Sequence, residues 1–166
     1  MTATTPGLVC AHHHLYSALA RGMPAPPRVP TCFQEILEQV WWRLDCALDL
    51  EMIRWSAMLG ALEALEQGTT AIVDHHESPH AIEGSLDVIA AACAEVGVRV
   101  LCAYGVTDRH GRDGAARGLE ENRRFIQNVL ESALSLVDFQ ENILNSYGPE
   151  NILEESEKRI RYLIPF

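Results

Sequence analysis

The run Pro6-Gly7-Leu8-Val9-Cys10-Ala11-His12-His13-His14 decides how the rest of the chain reads. Leu8 to Ala11 is apolar and three histidines follow without a break, the pattern of a β-strand entering a polar end. Side chains alternate along a strand, so His12 and His14 face one side and His13 the other. Two imidazoles at i and i+2 can grip one metal ion. Zinc accepts neutral imidazole nitrogens at about 2.0 to 2.1 Å, and a catalytic zinc usually has three protein ligands and an open position. The pair is therefore half a site. From spacing alone, a solvated loop or a purification tag is an equally open reading of three adjacent histidines.

Outward from that strand, short apolar runs alternate with helical periods. Gly22 to Pro30 holds four prolines and is a loop. Phe33, Ile36, Leu37, Val40, Trp41 and Leu44 form one helical stripe, with Trp41 in the core and Trp42 covering the adjacent helix. Asp49 suits the N-cap of a second helix with a small-residue face at Ile53, Ala57, Gly60, Ala61 and Ala64, and Gly68 suits its end. Thr69 to Asp74 is β-prone and nearly continuous in apolarity, as expected for a strand covered on both faces, and leads into His75 and His76. Ser78-Pro79 can open a helix that runs to Gly97. Val98 to Val106 is a third buried strand, Gly111 to Gly114 a loop, and Leu119 to Val137 an amphipathic helix. Tyr147-Gly148-Pro149 then breaks the chain before a last helix over residues 150–164. The order β-α-α-β-α-β-α implies an α/β fold built from parallel crossover units.

The chain has 166 residues, 48% hydrophobic and 22% charged, about one domain's worth of ordinary globular composition. Thirteen Lys plus Arg against 23 Asp plus Glu give a formal charge of -10, with Lys158 the single lysine, so nucleic acid is a poor partner. No apolar run approaches the roughly 18 residues needed to span a bilayer, and no export signal is visible, so no membrane partner is expected. Five scattered cysteines without a C-x-x-C pair fit reduced thiols, and the expected compartment is the cytoplasm.

Pro6 to Tyr16 resembles the first barrel strand of the amidohydrolase superfamily, whose P-G-[LF]-[IV]-x-x-H-x-H motif supplies two metal ligands. Gly68-Thr69-Thr70-Ala71-Ile72-Val73-Asp74 is similar to that superfamily's second strand. Trp41-Trp42-Arg43-Leu44-Asp45 with Asp74-His75-His76-Glu77-Ser78-Pro79 resembles the cytosine deaminase and triazine hydrolase branch, closest to the aminohydrolases grouped with selenium metabolism. The resemblance runs from about Pro6 to Ile126. It implies the first three β/α units of a (β/α)8 TIM barrel over residues 1–126, with residues 127–166 a helical tail. It implies His12 and His14 as metal ligands, one divalent ion (zinc, with iron an alternative), and His76 as a substrate-binding residue. For His76 a helix-capping or hydrogen-bonded role stays open. Asp74 is either a partner of a metal-ligand imidazole or an acceptor for backbone donors in the turn. Asp108 and His110 fall where a third pocket group belongs, with a polar loop as the alternative.

The activity implied is metal-dependent hydrolysis of a non-peptide carbon-nitrogen bond, most simply deamination of a small heterocycle. A closed barrel needs about 250 residues. The chain therefore reads as an N-terminal fragment, inactive alone because the later-strand ligands and any proton-shuttling acid are absent from it, and no catalytic residue is assigned. The alternatives are a non-catalytic α/β binding or homo-oligomerising module and a truncated or frame-shifted reading frame.

Overall fold

The computed structural model describes residues 4–146. Three parallel strands, β1 (Leu8–His13), β2 (Thr69–His76) and β3 (Arg99–Tyr104), form one sheet in the order β1-β2-β3. Parallel neighbours need long crossovers. The first is a 3-10 turn (Leu15–Gly22), then α1 (Phe33–Ile36), a π-helical turn (Leu37–Trp41), α2 (Trp42–Ala47) and α3 (Leu50–Glu66). The second is α4 (Ser85–Val96), and α5 (Gly111–Ser146) follows β3. The α/β order read from the sequence holds over these residues.

The core lies on one side of the sheet. Ile72 of β2 meets Ile53, Ala57 and Ala61 of α3 and Leu86 and Ile89 of α4 in a single cluster. Gly60 lets the first crossover come close, because a Cβ there would meet Leu15 Cδ2 at 2.8 Å. Asp49 caps α3 as expected, its Oδ1 accepting the Met52 N–H at 2.8 Å. Gly68 turns the chain into β2 at φ +81, a conformation that costs glycine little.

Four expectations need correction. The Phe33–Leu44 stripe is not one buried face: the π turn interrupts the 3.6-residue period, Phe33 is 70% exposed, and Leu44 is the stripe's buried member. The helix after β2 starts at Ser85, because Ser78–Ala81 closes a turn of its own. Its first N–H groups are met from elsewhere: Glu121 of α5, itself buried, accepts from Gly84 at 3.1 Å and Leu86 at 3.2 Å. Gly111 to Gly114 is the opening of α5, not a loop. The strands are covered on one face only, since Val73 and Leu101 on the opposite face are exposed. Period-two alternation sends those side chains away from the helices, and three strands do not close a sheet over them. The Tyr147–Pro149 break and the helix expected over residues 150–164 lie outside the described residues.

Ser56 of α3 ties the first crossover to the core. Its hydroxyl donates to the Leu15 carbonyl at 2.8 Å and accepts from the Leu19 N–H at 3.3 Å, in a fully buried position. Ser56→Ala leaves the Leu15 carbonyl without this donor and should lower the unfolding free energy by about 1 to 3 kcal/mol. Urea denaturation measures it, and an unchanged midpoint would remove Ser56 from the account.

Candidate functional site

His12 is the next-to-last residue of β1 and exposed, and His14 lies one residue past the strand, half-buried. At φ -135 and ψ 78 His14 stays extended enough to keep the alternation, and the two rings converge. Their Nε2 atoms are 3.1 Å apart. Two imidazole nitrogens each about 2.05 Å from one ion and separated by that distance subtend an angle near 98° at it, close to the tetrahedral range. His14 Nδ1 lies 2.9 Å from the His75 carbonyl oxygen. A carbonyl only accepts, so Nδ1 carries the proton and the Nε2 lone pair faces His12. The same arrangement, an Nδ1–H on a backbone carbonyl, orients imidazoles that ligate metals through Nε2. Tyr16, Trp41 and His75 surround the His14 ring, with centroids 5.7, 5.4 and 5.3 Å away.

Local chemistry explains the placement. The β1–β2 register slips between Cys10 and His13 before pairing resumes at His13 and Asp74, so the irregularity falls at Ala11 and His12. One residue past His14, the Leu15 N–H donates to Asp74 Oδ1 at 2.7 Å, which pins the exit of β1 to the end of β2. Asp74 is buried, and its Oδ2 has no partner among the described residues. Burial raises its carboxyl to about 6, against the pull of the Leu15 N–H and of His12. Asp74 thus meets the backbone beside the pair, and no imidazole is among its hydrogen-bond partners in the described residues.

His75 lies beside the pair, whereas His76 sits on the helix-covered side of the sheet. The His76 ring packs between Tyr16 and Tyr104 at 5.4 and 5.8 Å, and its Nε2 is 2.9 Å from Ser78 Oγ. Burial first, and the neighbouring His75 second, push the His76 imidazole down to about 3, so it is neutral. Its Nδ1 is buried and has no partner among the described residues. The His75 and His13 rings are lowered as well, by burial before the other histidines.

Several residues at this end of the sheet escaped the sequence reading. Arg109, between the anticipated Asp108 and His110, carries the mouth contacts: its Nη2 donates to Asp45 Oδ2 at 2.7 Å and to Glu77 Oε2, and its guanidinium lies 4.9 Å from the Trp42 ring centre. Gly105 permits this crowding, because a Cβ there would fall 2.7 Å from His75 Nε2 and 2.8 Å from Glu77 Cγ. Tyr16 joins the His14 and His76 rings. The one local signal was Glu77, adjacent to His76; the partnership of Asp45 and Arg109 spans 64 residues and leaves no trace in sequence spacing. Among the described residues, no group of three or more His, Cys, Asp or Glu side chains is arranged to hold a metal ion. No helix among them is long and apolar enough to cross a membrane.

The model of the amidohydrolase family matches residues 3–159. The chain belongs to the amidohydrolase family. The matched span passes Ile126, where the resemblance in the strand motifs ended. Among similar proteins, the 5'-deoxyadenosine deaminase of Methanopyrus kandleri is 31% identical over 95% of this amidohydrolase chain and 33% of its own length. The 5-methylthioadenosine/S-adenosylhomocysteine deaminase of Pyrococcus furiosus is 31% identical over 81% of the chain and 29% of its own length. The 8-oxoguanine deaminase of Pseudomonas aeruginosa is 32% identical over 66% of the chain and 24% of its own length. The chain thus spans about a quarter to a third of the length of these curated relatives, as the fragment reading expected.

The depressed His76 value has a pH consequence. Between pH 6.5 and about 3 the unfolded chain binds a proton at His76 that the folded chain refuses, so this contribution to stability is complete above pH 6.5 and fades as pH falls. At about 1.36 kcal/mol per pH unit, moving from pH 7 to 4.5 should cost the native chain about 2 to 3 kcal/mol more than His76→Gln. Asp74 titrates with the opposite sign in both proteins, so the difference isolates His76. Equal pH dependence of the two unfolding free energies would show that His76 is not held neutral.

Proposed function

We propose that this chain contributes the first metal-binding edge of a one-metal amidohydrolase that removes an amino group from a small heterocycle. The observation that carries this reading is the convergence of His12 Nε2 and His14 Nε2 at 3.1 Å, with the His14 proton committed to the His75 carbonyl. Two neutral imidazole donors fit a divalent ion such as zinc or iron. The remaining ligands come from sequence that the relatives have and these 166 residues do not span. The chemistry a bound divalent ion supplies is activation of water for attack on a carbon that carries nitrogen.

In this reading the chain's own residues orient rather than react. His12 and His14 hold one side of the ion, His75 fixes the His14 tautomer through its carbonyl, and Asp74 holds the turn that places both rings. His76 keeps its assignment as a substrate-binding residue, through the Nδ1 atom that has no partner among the described residues. The proposed fold of the whole is a (β/α)8 barrel, to which residues 1–126 contribute the first three units. The 5'-deoxyadenosine, 5-methylthioadenosine/S-adenosylhomocysteine and 8-oxoguanine deaminases among the relatives favour a purine or purine nucleoside over the cytosine and triazine rings of the branch suggested by Trp41–Asp45 and Asp74–Pro79. We place the protein in the cytoplasm, with a small-molecule substrate and neither nucleic acid nor membrane as partner. A second reading, a non-catalytic module that self-associates, draws on the exposed apolar side chains Leu8, Val9 and Leu101 along the sheet.

Elemental analysis of the chain dialysed against zinc tests the proposal. The native chain should retain roughly one ion that His12→Ala/His14→Ala loses, with no turnover of adenosine-type substrates by either. Zinc retained equally by the double variant, or by neither protein, would overturn the assignment of the pair.

A further inference from the structure

The Phe33–Ala47 segment crosses the mouth with sparse apolar anchoring, its one buried apolar side chain being Leu44, with Trp41 packed against the same core. Phe33 and Ile36 are exposed, and within α2 the buried residues are Leu44 and Asp45. Burying an aspartate at such a place is costly unless a cation meets it. Arg109 does so from the far side of the mouth, and its guanidinium binds at three points. It takes Asp45 of α2, takes Glu77 just past β2, and lies against the Trp42 ring. Arg109 is itself held by the turn at Asp108–His110, where the Thr107 hydroxyl accepts its backbone N–H at 3.2 Å. The first crossover and the ends of β2 and β3 therefore meet in one planar group.

The π turn gives this junction its consequence. Leu37–Trp41 is a single wide turn that ends at the two tryptophans, and such turns are often found at functional sites. Trp41 then packs on His14 and Tyr16 at 5.4 and 5.8 Å, while Trp42 covers Arg109. The cluster is not saturated, since Asp45 Oδ1 and Arg109 Nε are buried without partners among the described residues. A buried pair with orphaned atoms is a poor stabiliser compared with apolar side chains, but it specifies one arrangement. A guanidinium suits that task better than an ammonium because its planar fork can engage two carboxylates and an aromatic face together.

We infer that Arg109 is a positioning residue that latches the Phe33–Ala47 segment over the mouth and keeps Trp41 packed against His14. The latch bears on the metal reading only through its effect on His14, and it exists whether or not the pair binds an ion. Removing the guanidinium leaves Asp45 and Glu77 facing each other as like charges, and the segment lifts.

Tryptophan accessibility tests this without metal or substrate. The chain has three tryptophans, and Trp55→Phe removes the exposed one on α3, leaving Trp41 and Trp42 as reporters. In that background Arg109→Met should raise the acrylamide quenching constant roughly twofold, with the far-ultraviolet circular dichroism unchanged, as expected for local release of a weakly anchored segment. An unchanged quenching constant in the folded variant overturns the inference. Because Arg109→Met strands the buried Asp45 and the half-buried Glu77 carboxylates, the neutral triple variant Asp45→Asn/Glu77→Gln/Arg109→Met is the second measurement, and it decides if the single variant does not fold. The latch predicts raised quenching there too. Protection equal to the Trp55→Phe parent would show that Arg109 only neutralises buried acids, and the positioning role would fall. Neither variant touches His12 or His14, so failure of the latch and failure of the metal assignment are separate outcomes.

Discussion

The hydrogen bond from the Leu15 N–H to Asp74 Oδ1 joins the ends of two strands that lie 59 residues apart in sequence, and the histidine geometry depends on it. With Leu15 fixed there and its carbonyl taken by Ser56, the chain leaves β1 in one direction only. His14 is then brought beneath the His75 carbonyl, and its free nitrogen turns to His12. Asp74 is held at this position against a large desolvation cost, and one of its oxygens has no partner among the described residues. Such arrangements occur where position matters more than stability.

The parallel sheet supports this by bringing strand ends together. Three strands running the same way put His12, His75 and Gly105 at one end, where the loops that follow each strand also gather. Sites in α/β proteins form at that end of the sheet because the connecting loops converge there while the helices cover the sides. The opposite face of the sheet and its outer edges keep exposed apolar side chains, and a groove of about 860 Å³ runs beside β3 between α4 and α5. These surfaces agree with the chain's coverage of about a third of the Methanopyrus relative.

Much of this was legible in the sequence because it follows from local rules. The apolar run before His12, the Asp49 cap, the glycine at 68 and the helical spacing of α3 each act within a few residues. The three strands and their order came through for the same reason. What was not legible acts across long separations. Glu121 caps α4 from α5, so the start of that helix was misplaced at Pro79. The π turn breaks a stripe that looks regular when residues are counted at 3.6 per turn. At the mouth, the alternation rule found the His12 and His14 pairing, but nothing local tied Asp45 to Arg109 or distinguished His75 from His76. That distinction needed the sheet, in which Ile72, Asp74 and His76 share the helix-covered face.

The proposed ligand pair of His12 and His14 requires His14 to carry its proton at Nδ1, on the His75 carbonyl. Long-range proton–nitrogen NMR correlation of the imidazoles reads it directly, in the chain alone and during titration with zinc. The account predicts an Nδ1–H tautomer for His14 before any metal is added, and zinc-induced shifts at the Nε2 nitrogens of His12 and His14 while His76 stays unmoved. A His14 ring protonated at Nε2, or zinc shifts spread evenly over all the histidines, would contradict it.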